Sequence, residues 1–313
     1  EASKRVFSGQ SVLVTGGTGA FGRAFVRRAL DEGARRVVVF SRSEAKQAEM
    51  RAAHADPRLR FLIGDVRDPQ RIEQACRGVD LVVDAAALKR VEKGAYDPTE
   101  FVETNVVGAQ NIVEAALDAG VRRVVSLSSD KASAPLTLYG GTKLVAEHIF
   151  RAANAYGGNR TEFLTVRYGN VTGSRGSLVP MLLEQAKTGT VTLTDERMTR
   201  FWMTLGDAVR LVRRAAEGAP PGTTLLPDLP AVRIPDLIAA VVPNAKVRTI
   251  GIRASEKLHE CLISEDEAPY ADRLGGNYIL GLPKAQGISE RYASDNRGGF
   301  LTIAEIRDRL PQA

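Results

Sequence analysis

Cysteine is nearly absent: Cys76 and Cys261 are the only two in 313 residues, far apart and outside any CxxC spacing. That excludes a disulfide framework and makes a reducing, cytoplasmic setting the expectation. Aromatic residues make up 6% of the chain, and the arginine pairs (Arg27-Arg28, Arg35-Arg36, Arg122-Arg123, Arg213-Arg214) are scattered rather than gathered in one run with aromatics between. Despite a net charge of +6, a nucleic-acid partner is therefore not expected; a modest positive balance suits small anionic ligands equally well. No stretch approaches the ~20 apolar residues needed to span a bilayer, and no basic segment followed by an apolar run opens the sequence, so neither a membrane partner nor a leader is expected. The three histidines, His54, His148 and His259, show no metal-ligand spacing, and no metal is expected. Repeats, low-complexity tracts and heptads are missing as well.

What is present begins with a β-branched run at 11–15, followed by Gly16-Gly17-Thr18-Gly19-Ala20-Phe21-Gly22 and a helical pattern over 23–32 that Gly33 stops. A second strand is expected at 36–40. Glycines at 16, 19 and 22 between a strand and a helix suit a dinucleotide: the turn needs positive φ or close backbone approach, and a pyrophosphate then sits on the free amides of the helix N-terminus. Gly16, Thr18, Gly19, Ala20, Phe21 and Gly22 are the candidate contacts. At the end of the second strand, an NAD site usually carries an acid for the ribose 2′-hydroxyl. Here Ser41 and Arg42, with Lys46 beyond, suit a 2′-phosphate, so NADP is the expected cofactor, although Glu44 stands among them. A third strand at 60–63 ends at Asp65 and Val66, where an adenine would lie. A fourth at 80–83 ends in Asp84-Ala85-Ala86-Ala87-Leu88-Lys89, and the small residues Ala85 and Ala86 let a flat ligand approach the backbone. A long helix over 98–119 contains Asn105, read as a structural hydrogen-bonding residue.

The fifth strand, 124–127, leads into Ser128-Ser129-Asp130-Lys131, and Tyr139 and Lys143 follow at a spacing that puts them one helical turn apart on one face. A phenol ordinarily titrates near ~10, and each unit of depression requires about 1.4 kcal/mol of differential stabilisation. Lys143 is the neighbouring charge expected to supply it. Asp130 and Lys131 add a carboxyl and an amine at the same strand end; unless the site is tuned, such neighbours form an ion pair. With a sixth strand at 163–167, the alternation predicts an α/β fold: a doubly wound Rossmann-type parallel sheet with a smaller C-terminal substrate-binding lobe. The expected division is residues 1–169 for the dinucleotide-binding domain, with 204–241 returning to it, and 170–203 plus 242–313 for the lobe. Within these, helices are expected at 178–187, from a Thr204/Asp207 capping box to 218, at 234–241 and after Thr302, and a strand at 247–252.

The glycine turn with Tyr139-x-x-x-Lys143 resembles the extended short-chain dehydrogenase/reductases. More narrowly, several blocks resemble the soluble inverting UDP-N-acetylglucosamine 4,6-dehydratases of the pseudaminic-acid pathway. They are Ser41-Arg42, Gly64-Asp65-Val66-Arg67-Asp68, Ala85-Ala86-Ala87-Leu88-Lys89, Ser129-Asp130-Lys131-Ala132…Leu138-Tyr139-Gly140, Arg167-Tyr168-Gly169-Asn170-Val171, Arg197-Met198-Thr199-Arg200-Phe201-Trp202 and Glu256-Lys257-Leu258-His259-Glu260. Ser129 stands where that family more often has Thr. The resemblance implies a UDP-sugar substrate, NADP and a homo-oligomer. It also implies that Tyr139, activated by Lys143, takes the C4 hydroxyl proton during oxidation at C4, with Ser129 hydrogen-bonded to the C4 oxygen. Lys131 is then base at C5, Asp130 acid for the leaving C6 hydroxyl, and hydride returns to C6. Asn170, Arg200, Arg253 and Glu256 are the implied contacts to the nucleotide end, and Lys89 faces cofactor or sugar. The alternatives are a 5,6-dehydratase, a 4-epimerase, and a non-catalytic NADP-binding regulator on the same fold.

Overall fold

The computed structural model describes residues 5–89, 96–156, 160–172, 177–252 and 256–310. Strand β1 (Ser11–Thr15) is buried at every position, as a short apolar run between two helical layers must be. After it come α1 (Ala20–Asp31), β2 (Arg36–Ser41), α2 (Glu44–Ala53), β3 (Leu59–Ile63), α3 (Pro69–Cys76) and β4 (Leu81–Asp84). Helices α4 (Pro98–Val102) and α5 (Gly108–Asp118) are joined by a π-helical turn, Glu103–Val107, inside the single helix expected there. Next are β5 (Arg123–Ser129), a 3-10 turn (Asp130–Ala132), α6 (Leu138–Tyr156) and β6 (Glu162–Tyr168). The second half holds α7 (Leu178–Ala186), β7 (Thr190–Leu193), β8 (Thr199–Phe201), α8 (Leu205–Gly218), β9 (Thr224–Pro227), β10 (Ala231–Arg233) and α9 (Ile234–Val241). It ends with β11 (Lys246–Thr249), β12 (Cys261–Ile263), β13 (Ala271–Leu274), β14 (Asn277–Leu280), β15 (Tyr292–Ala293) and α10 (Ile303–Asp308).

Nine strands form one sheet in the order β13-β14-β9-β6-β5-β4-β1-β2-β3, parallel from β9 to β3. This is the doubly wound sheet expected from the alternation of strands and helices. Side chains alternate between its faces. Val12, Val14, Val37 and Val39 pack with Phe25, Val26, Val209 and Val212 of α1 and α8, while Leu13, Val38, Val82 and Val124 pack with Ile72, Ile112 and Phe150 of α3, α5 and α6. The order reverses between β1 and β4, which opens a crevice at the carboxyl ends of those strands. No helix among the described residues is long and apolar enough to cross a membrane.

Two boundaries differ from the sequence reading. Residues 271–280, assigned there to the lobe, are an antiparallel hairpin that extends the main sheet beside β9. Its two-residue turn, Gly275-Gly276, has φ of +51° and +78°, the geometry that matches a hairpin's twist. Of the stretch 204–241, α8 packs against the main sheet and β9 joins it, whereas α9 does not. Its Ile234, Leu237 and Ile238 lie in a separate apolar core with Leu182 of α7, Trp202 and Ile306 of α10. The strand expected at 247–252 is β11, shorter and paired with β7 rather than with the main sheet. α8 starts on the Thr204/Asp207 capping box, as the spacing predicts.

Arg167 ties the halves together. Fully buried on β6, it donates to Glu147 of α6 at 2.6 and 3.0 Å, to Glu267 at 2.8 and 2.9 Å and to the Leu262 carbonyl at 2.9 Å. Burial alone would lower its pKa, but the two carboxylates more than offset that and raise it. Replacing Arg167 with Met would take from buried Glu147 and from Glu267 the guanidinium that bonds both, leaving Glu147 only the more distant Lys143 charge. The expected result in urea unfolding is a loss of roughly 3–5 kcal/mol.

Candidate active site

The crevice begins at Gly16, whose φ is +61° and where an added Cβ would lie 2.7 Å from the Ala85 carbonyl oxygen. Only glycine lets the β1 and β4 ends close this tightly. Below it, the Thr15 hydroxyl donates to Asp84 Oδ1 at 2.6 Å and accepts from the Ala85 and Ala86 amides at 3.1 and 3.2 Å. Ser126 Oγ of β5 donates to Asp84 Oδ2 at 2.9 Å, so three strand ends are stitched through one buried carboxylate. α1 starts at Ala20, with Gly19 as its N-cap, no side-chain cap and no acid in its first turn. Its exposed mouth therefore presents free amides and the positive end of the helix dipole to an anion. Thr18 and Gly22 are buried beneath, and Phe21 is partly buried.

At the end of β2, Gln47 donates to the Ser41 carbonyl and hydroxyl, both at 3.1 Å, and to the Leu62 carbonyl at 3.0 Å. Arg42 and Lys46 are exposed, and Arg42 lies 3.7 Å from Asp65. Burial raises the Asp65 pKa, but hydrogen bonds and charge from Arg67, with charge from Arg42, carry it below the ordinary carboxylate value. Val66 is buried, and its carbonyl accepts from Asn111 at 2.9 Å. Lys89 is exposed at the end of the loop that leaves β4. Asn105 fixes that loop from the π-helical turn. Its amide pairs with both the N–H and the carbonyl of Leu88 at 2.9 Å and donates to Thr142 of α6 at 3.0 Å.

On the opposite side of the crevice β5 ends in the reactive cluster. Ser129 donates to Asp130 Oδ1 at 2.9 Å, and Lys131 Nζ donates to the same oxygen at 3.2 Å. Asp130 is 1% exposed, and its Oδ2 is buried without a hydrogen-bond partner among the described residues. The adjacent acid and amine are thus an ion pair. Burial pulls the Lys131 pKa down, but Asp130 and Glu260 more than offset it, and the ammonium is held well above its ordinary value. Tyr139 faces this group from the first turn of α6, where the Ser129 hydroxyl lies against the phenol. Burial, the largest influence, pushes the phenol pKa up; Ser129 and Lys131 act downward, and Asp130 upward.

Lys143 follows Tyr139 by one turn on α6, as the spacing predicts. It is buried below Tyr139, its pKa is lowered by burial, and the charges that oppose the lowering are Asp84 and Glu147. Lys131 is a cation acting on the phenol, and its charge favours the phenolate. On the far side, Arg200 is only 16% exposed and donates to the carbonyls of Thr199, Leu258 and Lys257 at 2.7, 2.9 and 3.1 Å, with Nε 3.5 Å from Glu260. Glu256 accepts from Thr194 at 3.5 Å, and its Oε2 is buried without a partner. Asn170 is exposed just after β6, next to Gly169, which packs near Asp130 Oδ2. Arg253 lies outside the described residues. The sequence reading missed Glu260, beside Lys131, and Tyr168, which pairs in register with Ser129 and whose phenol pKa is raised by burial and by Tyr139.

One close approach holds the cluster. Gly140 presses α6 against the turn so closely that an added Cβ would fall well inside contact distance of the Lys131 carbonyl, whereas one at Gly141 would meet nothing within 4 Å. Gly140→Ala should lower the unfolding free energy by about 1–3 kcal/mol through forced displacement. Gly141→Ala, as control, should raise it by about 0.5–1 kcal/mol, the helix preference for alanine. Both are read by urea denaturation.

Comparison with known proteins agrees with this geometry. Residues 12–280 match the family described as polysaccharide biosynthesis protein. The chain is 43% identical over 267 residues to the UDP-N-acetylglucosamine 4,6-dehydratase (inverting) of Campylobacter jejuni, covering 84% of this chain and 80% of that one. It is 40% identical over 313 residues to the UDP-glucose 4-epimerase of Rickettsia akari, covering 97% and 91%. Among solved structures, Pen from Bacillus thuringiensis superposes with a TM-score of 0.91 at 36% identity, covering 96% of this chain and 97% of that one. DesIV, a dTDP-glucose 4,6-dehydratase from Streptomyces venezuelae solved with NAD and TYD bound, gives 0.71 at 28% identity, covering 79% and 86%. A glycine turn, a Tyr–Lys helix and an acid–amine pair at one strand end thus occur in a chain that belongs to the polysaccharide biosynthesis protein family, with nucleotide-sugar dehydratases and epimerases as its relatives.

Proposed function

We propose that this chain is an NADP-dependent UDP-N-acetylglucosamine 4,6-dehydratase that inverts C5. The observation that carries the reading is the contact of Tyr139 with the Ser129–Asp130–Lys131 group. An alcohol oxidation needs only the phenol, whereas elimination of water needs an acid and a base as well. Gly16, Thr18, Gly19, Ala20, Phe21 and Gly22 would hold the pyrophosphate; the tight turn and the uncapped helix mouth fit it. Ser41, Arg42 and Lys46 would take the 2′-phosphate, and the two exposed cations support NADP over NAD. Asp65 and Val66 would lie at the adenine, and Ala85, Ala86, Lys89, Tyr139 and Lys143 at the nicotinamide end. When bound, the cofactor supplies the redox half of the reaction, taking hydride from C4 and giving it back at C6 with no net oxidation.

The protein's part is proton handling. Tyr139, made a phenolate by the Lys143 and Lys131 charges against the opposing effect of burial, accepts the C4 hydroxyl proton, and Ser129 hydrogen-bonds the C4 oxygen. The ketone formed there acidifies the C5 hydrogen. In the resting ion pair neither partner is in its working state. A proton passed from Lys131 Nζ to Asp130 Oδ1 across 3.2 Å produces both states at once, an amine base and a carboxylic acid. The Lys131 amine then removes the C5 proton, and Asp130 gives its proton to the departing C6 hydroxyl, which leaves as water. Ammonium and carboxylate are thereby restored; C5 takes one proton from solvent on the opposite face, and Tyr139 releases to solvent the proton it took from the C4 hydroxyl, which closes the balance. Asn170, Arg200, Arg253 and Glu256 remain our candidates for the nucleotide end, with most Arg200 donors directed to backbone carbonyls. A homo-oligomer is the proposed assembly, supported by the exposed apolar Val102, Leu138 and Val145 on the contacting helices α4 and α6.

The likeness to a UDP-glucose 4-epimerase favours a second reading, in which Asp130 and Lys131 stay paired and only C4 reacts. NMR of UDP-N-acetylglucosamine turned over in deuterated water separates the two. Dehydration gives a 6-deoxy-4-keto sugar carrying deuterium at C5, and Lys131→Met abolishes the exchange while NADP binding persists. An unchanged mass with altered C4 configuration would leave the epimerase reading standing. The cofactor is tested separately: Arg42→Ala should weaken NADP binding, measured by fluorescence titration, at least tenfold more than NAD binding, about 1.4 kcal/mol of discrimination.

A further inference from the structure

Glu260, one residue before β12, is 6% exposed, and its Oε2 is buried without a hydrogen-bond partner among the described residues. Leaving a carboxylate oxygen dry and unbonded is costly, so the placement of this group calls for a compensating role. Its other oxygen lies 3.7 Å from Lys131 Nζ and 3.5 Å from Arg200 Nε. The side chain is anchored at both ends. Its own amide donates to the fully buried Ser294 Oγ at 3.0 Å, and Arg200 is locked by the carbonyls of Thr199, Lys257 and Leu258. The charged groups acting on it are Lys131 and Asp130 from the turn after β5, Arg200 from β8 and Lys257 from its own segment.

We propose that Glu260 is a positioning residue for Lys131: it holds the ammonium against Asp130 between turnovers and sets the pH above which the pair loses the proton it shares. This rests on the dehydratase reading of the site. The arrangement explains why Lys131 remains cationic although it is largely enclosed: Asp130 and Glu260 flank it, and a single carboxylate beside it would leave the buried charge less compensated. Burial and the Asp130 charge raise the Glu260 pKa, so the two carboxylates strain against each other and Lys131 is what reconciles them. Removing the Glu260 charge therefore takes away one of two influences that favour the ammonium. The sign follows directly: the pair loses its shared proton at lower pH.

Two readouts test this. In Glu260→Gln, the descending limb of the pH profile for C5 deuterium exchange, where the pair loses the proton it shares, should move down by about one unit, the smaller end of the effect of one nearby charge. KM for the UDP-sugar should stay within about twofold, since the effect passes through Lys131 rather than through substrate affinity. In ligand-free protein carrying 13Cε-labelled lysine, with the Lys131 resonance assigned by its loss in Lys131→Met, the pH at which that resonance begins to move should fall by a similar amount. Glu260→Asp, which keeps the charge but withdraws it by one methylene, should give a smaller shift in the same direction and serves if the Gln variant does not fold. An unmoved limb with an unmoved resonance overturns the proposal, as does a loss of thermal stability alone. A shifted resonance without C5 exchange in the wild-type enzyme would leave the link between Glu260 and Lys131 intact and defeat the dehydratase reading instead.

Discussion

Lys131 between Asp130 and Glu260 is the interaction on which the site depends. Burial pulls an ammonium toward neutrality, and two carboxylates oppose it. The balance leaves a cation that can become a base by moving one proton a short way. Everything that places those three groups is non-local. β5 carries Asp130 and Lys131 to the strand end, α6 presses Gly140 on the Lys131 carbonyl, and β8 sets Arg200 against Glu260. Loosening any of these would alter the protonation of the pair before it altered the fold.

The same face of α6 runs from chemistry into structure. Tyr139 meets the reactive turn, Lys143 one turn on meets Asp84 and Glu147, and Glu147 a turn later holds Arg167. Arg167 reaches Glu267, which accepts from Ser133 just past the reactive turn at 3.0 Å. The path therefore closes on itself through β6 and the segment after β12. A buried arginine with two carboxylates is a poor source of net stability but a strong constraint on geometry, because removing one partner leaves a bare charge in the core. Here the constraint fixes the spacing between the dinucleotide crevice and the C-terminal segments.

What was legible in the sequence was local. Short apolar runs gave the parallel strands, Gly16 to Gly22 gave the crevice, and the Tyr139–Lys143 spacing gave one helix face. The Thr204/Asp207 box marked the start of α8. What escaped depended on residues far apart in the chain. Glu260 lies more than a hundred positions from Lys131, and Asp84, whose charge acts on Lys143, comes from β4. The antiparallel hairpin at 271–280 had a local signal in Gly275-Gly276, but nothing local indicated which sheet it would join. Arg200 bonds the carbonyls of Lys257 and Leu258, nearly sixty positions on, a contact that sequence spacing does not carry.

The central claim is that oxidation at C4 and elimination across C5 and C6 occur over one set of residues, with hydride conserved inside the active site. UDP-N-acetylglucosamine deuterated at C4 tests it in a single measurement by NMR of the product. The account predicts a 4-keto sugar whose C6 methyl group carries the label. Deuterium remaining at C4, or a product with an unlabelled C6, would contradict it.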